Sequence, residues 1–68
     1  MVNTALLKGK IVANGFTQRT LSEKMKISEN NLSAKINGKS EFDLSQVMAL
    51  CEILCINDPK EKCDIFLA

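Results

Sequence analysis

Four helix-start signals follow one another at short intervals along this chain, and they set the main limit on its fold. Thr17 and Ser28 each precede a short run with apolar residues at helical spacing, and a hydroxyl at such a position accepts a hydrogen bond from the first helical turn. Asp43 is followed three residues later by Gln46, which predicts a capping box, and Asp58 directly precedes a proline. We therefore expect several short helices and an all-α fold.

The spacing of apolar residues predicts the extent of each helix and its inward side. The first helix is expected from Thr4 to about Asn14, because Gly15 can end it in the left-handed conformation. The other helices are expected over residues 18–25, 29–36, 44–55 and for one or two turns after residue 58. The apolar residues expected inside are Leu7, Ile11, Val12, Leu21, Met25, Leu32 and Ile36, with Phe16 and Phe42 packed against them. The predicted fold is a compact bundle of four to five helices. Whether residues 65–67 pack as a tail or form an intermolecular strand stays open.

The size of the chain favours one domain over residues 1–68, because 68 residues are near the lower limit for one hydrophobic core. Its 46% hydrophobic and 25% charged residues are ordinary for a soluble globular protein. The first residues lack a secretory signal, and we expect a cytoplasmic protein that does not enter a membrane. An enzyme is disfavoured because histidine, a glycine-rich phosphate loop and an obvious carboxylate pair are missing. No cofactor and no small-molecule substrate are expected.

The three cysteines are Cys51, Cys55 and Cys63. Their odd number, the lack of Cys-x-x-Cys spacing and the lack of histidine argue against a metal site. Cys51 and Cys55 lie four residues apart in an apolar helical pattern, where thiols usually pack as small hydrophobic side chains. Core packing is the favoured interpretation, and redox sensing is the alternative.

Charge is divided unevenly along the chain. Up to Ser40 there are seven basic and two acidic residues, a net charge of +5, and from Glu41 onward two basic and six acidic residues, a net charge of −4. A basic half suits a polyanion such as nucleic acid, and an acidic half is expected to face away from the phosphates.

Residues 18–36 are predicted to form two short helices joined by about three residues, which is the pattern of a helix-turn-helix motif. The outward side of the second helix is small or polar and matches the donors, acceptors and methyl groups of the DNA major groove. There, asparagine can pair with adenine, and Glu29 can accept from cytosine N4. A solvated helix surface is the alternative for these residues taken alone. The candidate base-reading residues are Glu29, Asn30, Asn31, Ser33 and Ala34.

Phosphate anchoring requires hydrogen-bond donors that flank the reading helix. Gln18 stands at the first position of the second helix, where its side chain and the open backbone amides can hold an anion. Each of the flanking donors taken singly is equally compatible with an ordinary polar surface. The candidate phosphate-binding residues are Gln18, Arg19, Lys35, Asn37, Lys39 and Ser40.

Several short segments resemble the helix-turn-helix of the Cro and Xre-like phage repressors. They are Gly15-Phe16-Thr17-Gln18, Leu21-Ser22, Ile27-Ser28, Leu32 and Asn37-Gly38-Lys39. The resemblance spans roughly residues 7–56, and residues 35–39 with Phe42 and Ile65-Phe66 are similar to the short prophage members in particular. It implies a lambda-repressor-like domain that binds operator DNA as a homodimer. By position it implies that Gln18, Asn37 and Lys39 contact the DNA backbone and that Glu29, Asn30 and Ala34 lie near base edges.

Two lysines depart from the family pattern. Lys26 stands where the turn commonly has glycine, and it costs about 1 kcal/mol if the turn is left-handed there. Lys35 occupies a usually apolar position, so its charge is expected to extend outward to solvent or phosphate.

The fourth helix is apolar nearly all round, which predicts that a second surface covers it. A chain of this size gains stability by self-association, and twofold partners present two reading helices about one DNA turn apart. We expect a homodimer through residues 44–68, with Met48, Cys55, Ile65 and Phe66 in the interface. The alternative is a protein-binding module of the same fold, such as an antirepressor or antitoxin-like partner.

Overall fold

The computed structural model describes residues 2–67, which contain five α-helices and no β-strand. Met1 and Ala68, the ends of the predicted domain, lie outside the described residues. The helices are α1 (Thr4–Ala13), α2 (Gln18–Met25), α3 (Glu29–Ile36), α4 (Leu44–Ile53) and α5 (Pro59–Phe66). The predicted all-α class and the helical bundle are confirmed. None of these helices is long and apolar enough to cross a bilayer.

The helix starts are fixed by side chains that cap them. Thr17 Oγ1 accepts from the Thr20 amide at 3.1 Å, and Thr20 Oγ1 accepts in return from the Thr17 amide at 2.8 Å. Ser28 Oγ accepts from the Asn31 amide at 3.1 Å. Such caps satisfy amides that have no partner inside the helix, and each is worth about 1 kcal/mol. The predicted capping residues are confirmed at Thr17, Ser28, Asp43 and Asp58.

One hydrophobic core receives side chains from all five helices. Helices of eight to ten residues are marginal in water by themselves. Burial of a leucine or isoleucine side chain contributes about 1.5–3 kcal/mol, so packing rather than helix propensity holds these helices. The side chains with at most 1% exposure are Leu7, Leu21, Leu32, Ile36, Leu50, Leu54, Ile56 and Ile65.

Both ends of α1 are tied to other helices by side-chain hydrogen bonds. Thr4 Oγ1 donates to the carbonyl oxygen of Ile36 at 2.8 Å, at the end of α3. Asn14 Nδ2 donates to the carbonyl oxygen of Leu54 at 3.2 Å, just after α4. These bonds satisfy carbonyl groups at helix ends and fix α3 and α4 relative to α1.

Two predicted core positions are wrong. Val12 is 73% exposed because it lies about 100° around α1 from Ile11, which shares the inward side with Leu7. Cys55 is exposed because α4 ends at Ile53 and Cys55 adopts a left-handed conformation with φ 56°. Of the two cysteines expected inside, only Cys51 is buried, and burial raises the pKa of its thiol.

The apolar C-terminal segment is helical through Phe66 and is not a strand in the described residues. Ile65 is 1% exposed inside the core of its own chain, and its carbonyl oxygen accepts from the Asn3 amide at 2.6 Å. The prediction of Ile65 as a dimer contact is therefore wrong, because a partner cannot reach this side chain in the folded bundle. Leu67 follows the helix and is 74% exposed.

The turn between α2 and α3 gives a first prediction. Lys26 has φ 60° and ψ 39°, the left-handed conformation that costs a residue with a side chain about 1 kcal/mol. Replacing Lys26 by glycine is expected to raise the free energy of unfolding by about 1 kcal/mol, measured by urea denaturation. The control Lys24→Gly removes the same charge from the last turn of α2 and is expected to lower it by about 1 kcal/mol. A similar loss of stability in both variants would contradict the strain at Lys26.

The cap of α4 gives a second prediction, on pH. Asp43 Oδ1 accepts from the Gln46 backbone amide and the Ser45 hydroxyl, both at 2.8 Å. These hydrogen bonds lower the pKa of Asp43 below its ordinary 3.8. The folded chain therefore holds this proton less readily than the unfolded chain. The cap's contribution is complete above the unfolded pKa and is lost as pH falls through the folded pKa. Thermal unfolding between about pH 6 and pH 2 should show a shallower acid decline for Asp43→Asn than for the parent. An equally steep decline in both would refute this assignment.

Candidate nucleic-acid interface

The crossing of α2 and α3 depends on apolar side chains from both helices and from the turn between them. Leu21 of α2 and Leu32 of α3 belong to the same buried cluster, and each has no exposed surface. Met25 and Ile27 are half-buried against that cluster. The left-handed Lys26 ends α2 and lets α3 start three residues after it. The structure thus forms the helix-turn-helix predicted over residues 18–36.

The side of α3 opposite its buried residues is open. Glu29, Asn30 and Asn31 are exposed, and Ser33 and Ala34 are half-exposed. Within residues 2–67, the side chains of Glu29, Asn30 and Asn31 make no hydrogen bond or ion pair. The five predicted base-reading residues therefore all reach the surface of α3, and three of them have free polar groups.

Two of the predicted phosphate-binding residues are engaged within the chain. Lys35 Nζ donates to the carbonyl oxygen of Glu41 at 2.8 Å and lies 6.0 Å from the centre of the Phe42 ring. Its charge extends outward as expected, but toward the loop after α3. Asn37 Nδ2 donates to the carbonyl oxygen of Ser33 at 2.9 Å and closes the end of α3. The amide of Asn37 and the ammonium of Lys35 are thus less available to DNA than the sequence indicated.

The start of α2 has the features of an anion site. The Thr17 side chain satisfies the Thr20 amide, and the Leu21 amide donates to the Thr17 carbonyl at 3.0 Å. The amides of Gln18 and Arg19 have no acceptor within residues 2–67. Open amides at a helix N-terminus attract a phosphate group. Gln18 is half-buried and Arg19 is exposed, and both belong to the first turn of α2.

The cations of the first forty residues are mostly free. Lys10 is the exception in α1, because its ammonium forms a 2.8 Å ion pair with Glu61 of α5. The exposed cations without a partner among residues 2–67 are Lys8, Arg19, Lys24, Lys26 and Lys39. Lys24 and Lys26 were not among the predicted phosphate ligands, although their position beside the turn was a usable signal.

The C-terminal half carries an exposed apolar surface. Leu44 and Met48 lie four residues apart on α4 and are 76% and 63% exposed. A groove of about 510 Å³ begins at Leu44 and is also lined by Phe66 and Leu67. Phe66 itself is half-buried, with its ring centre 6.3 Å from that of Phe42. Leu44 and Leu67 were missed by sequence reasoning, although the four-residue spacing of Leu44 and Met48 marked one side of the helix.

Residues 7–61 match the family model described as the Cro/C1-type HTH DNA-binding domain. No match was found among curated proteins or solved structures. The matched span contains α2, α3 and the turn that joins them, and it covers more than half of the sequence. This protein therefore belongs to the Cro/C1-type HTH DNA-binding domain family.

Proposed function

We propose that this protein is a Cro-like phage or prophage repressor that binds an operator sequence in double-stranded DNA as a homodimer. The observation that supports it most is the exposed polar side of α3, whose other side is buried through Leu32 and Ile36. Membership of the family indicates a DNA-binding regulator rather than an enzyme. A rigid helix with one free polar side is what readout of the major groove requires.

In this proposal α3 lies in the major groove and the surrounding donors hold the DNA backbone. Asn30 and its neighbours on α3 contact base edges. The amides and side chains of Gln18 and Arg19 bind a phosphate at the start of α2, and Lys39 binds one beyond the end of α3. Repression follows because a bound operator is blocked to the transcription machinery.

The homodimer is supported by the apolar surface of the C-terminal half. Leu44 and Met48 give it two large exposed side chains on one side of α4. The adjacent groove is also lined by Lys35 and Ser40, so the surface adjoins the end of α3. Pairing of two copies there relates both reading helices by one twofold axis, which fits half-sites about one DNA turn apart.

The same surface supports a second candidate function. Leu44 and Met48 give a folded partner protein an apolar contact, as expected for an antirepressor or antitoxin-like module. The two functions differ in their response to salt, because only DNA binding releases counterions from phosphates.

A third prediction separates contacts that read bases from contacts that hold phosphates. Affinity for a duplex that the protein selects from a random pool is expected to fall steeply as the salt concentration rises, as measured by fluorescence anisotropy. Lys39→Ala should weaken binding to all duplexes alike and reduce the salt slope by about 1. Asn30→Ala should weaken binding only to the selected sequence, by about 1–3 kcal/mol. Duplex binding that is absent or insensitive to salt would instead favour the protein-binding module.

A fourth prediction concerns self-association. Met48→Glu places a charge in the proposed interface and is expected to weaken the dimer at least about tenfold, or 1.4 kcal/mol, measured by sedimentation equilibrium. Val12→Glu is a matched control, because Val12 is a similarly exposed apolar residue on α1. A parent protein that sediments as a monomer at tens of micromolar, or an equal effect of both variants, would count against the proposed interface.

A further inference from the structure

We infer that α3 recognises a C·G base pair through the N4 amino group of cytosine, with the Glu29 carboxylate as the acceptor. This inference rests on the proposed DNA-binding function and specifies one base pair that the function requires. It differs from recognition of the same pair through guanine, which is the commonest specific contact in the major groove.

The reading side of α3 lacks the cations that recognise guanine. Guanine presents the acceptors O6 and N7 in the major groove, and arginine or lysine reads them. Within α3 the one cation is Lys35. Its ammonium is bonded to the carbonyl oxygen of Glu41 at 2.8 Å and lies near the ring of Phe42. The reading side of α3 therefore offers no free cation to guanine.

The remaining amide donors at α3 belong to the side chains of its asparagines and of Asn37. Asn37 Nδ2 is bonded to the carbonyl and hydroxyl oxygens of Ser33, at 2.9 and 3.3 Å. Asn30 and Asn31 keep free amides, and an amide pairs best with the donor and acceptor of adenine. A neutral amide does not supply the positive charge with which arginine or lysine reads guanine. The free polar groups of α3 thus match adenine and one further base that donates.

Glu29 supplies the only carboxylate of α3. Its carboxylate is exposed, has no partner within residues 2–67 and stands on the first turn of α3. An ionised carboxylate is only an acceptor, and the major-groove donors are adenine N6 and cytosine N4. Adenine also presents the acceptor N7 beside N6, which repels a carboxylate, whereas cytosine presents no acceptor there. A carboxylate brought against DNA without a donor is left unpaired among phosphates, so cytosine is the base that stabilises it.

The test begins with a selection of bound duplexes from a random pool by three proteins. They are the parent, Glu29→Gln and the control Glu23→Gln, which removes an exposed carboxylate from α2 in the same motif. We expect the parent to select cytosine at one position of each half-site. Glu29→Gln should select adenine there, because its amide supplies a donor and an acceptor. Glu23→Gln should keep the preference of the parent.

Modified bases at that position then identify the atom that is read. N4-methylcytosine removes the free amino hydrogen and is expected to weaken the parent about tenfold, but Glu29→Gln less than about twofold. Replacing the opposite guanine by 7-deazaguanine removes N7 and is expected to change parent affinity less than about twofold.

The possible failures are distinguishable. If the parent binds duplex with salt-dependent affinity but Glu29→Gln keeps the parent's cytosine, the inference about Glu29 is wrong and the proposed DNA-binding function stands. A strong loss on 7-deazaguanine with none on N4-methylcytosine also overturns it, because guanine is then the base that is read. If the parent binds no duplex at all, the proposed function and this inference both fail.

Discussion

The burial of Leu32 and Ile36 is the interaction on which α3 depends. A helix of eight residues has little stability in water, because helix formation has a costly nucleus and few internal hydrogen bonds. Both side chains are completely buried, and the Ile36 carbonyl accepts a hydrogen bond from the Thr4 hydroxyl at the start of α1. The helix is therefore held along its length from one side. The side chains of Glu29, Asn30 and Asn31 form no hydrogen bond within residues 2–67, so they contribute little to folding and their identity is free to serve binding.

The cations that are free in the structure are fewer than the division of charge along the sequence indicates. Lys10 is paired with Glu61 and Lys35 is bonded to the loop that follows α3, so neither ammonium is free to meet phosphate. None of the cations that stay free in residues 2–67 lies on α3, and Lys26 and Lys39 flank it in the sequence. The proposed function therefore divides affinity for the DNA backbone and recognition of bases between different residues, since phosphate contacts set position and carry no sequence information. Glu29 fits this proposed division, because an anion on α3 repels phosphates and a base that donates a hydrogen bond offsets that repulsion.

Features governed by local chemistry were predictable from the sequence, and features governed by packing were not. The helix starts after Thr17 and Ser28 follow from caps that each bond an amide three residues away. Which side of a helix faces the core depends on residues that are distant in the sequence, so Val12 was wrongly placed inside. Ile65 was wrongly placed at an interface, because only the assembled bundle shows that α5 turns it toward the core. The bond from Lys35 to Glu41 likewise requires the fold of the loop after α3.

The left-handed turn at Lys26 connects stability with binding. Non-glycine residues in this conformation are strained, and such strain persists only where surrounding contacts hold it. Here the contacts are the buried Leu21 and Leu32 on either side of the turn. Glycine relieves the strain but removes an unpaired cation two residues before the Ser28 cap of α3. In the proposed function, lysine at this turn therefore exchanges about 1 kcal/mol of folding stability for one more positive charge near the helix that reads DNA. A bundle held by ten buried apolar residues tolerates that exchange, because the loss is smaller than the burial of one leucine.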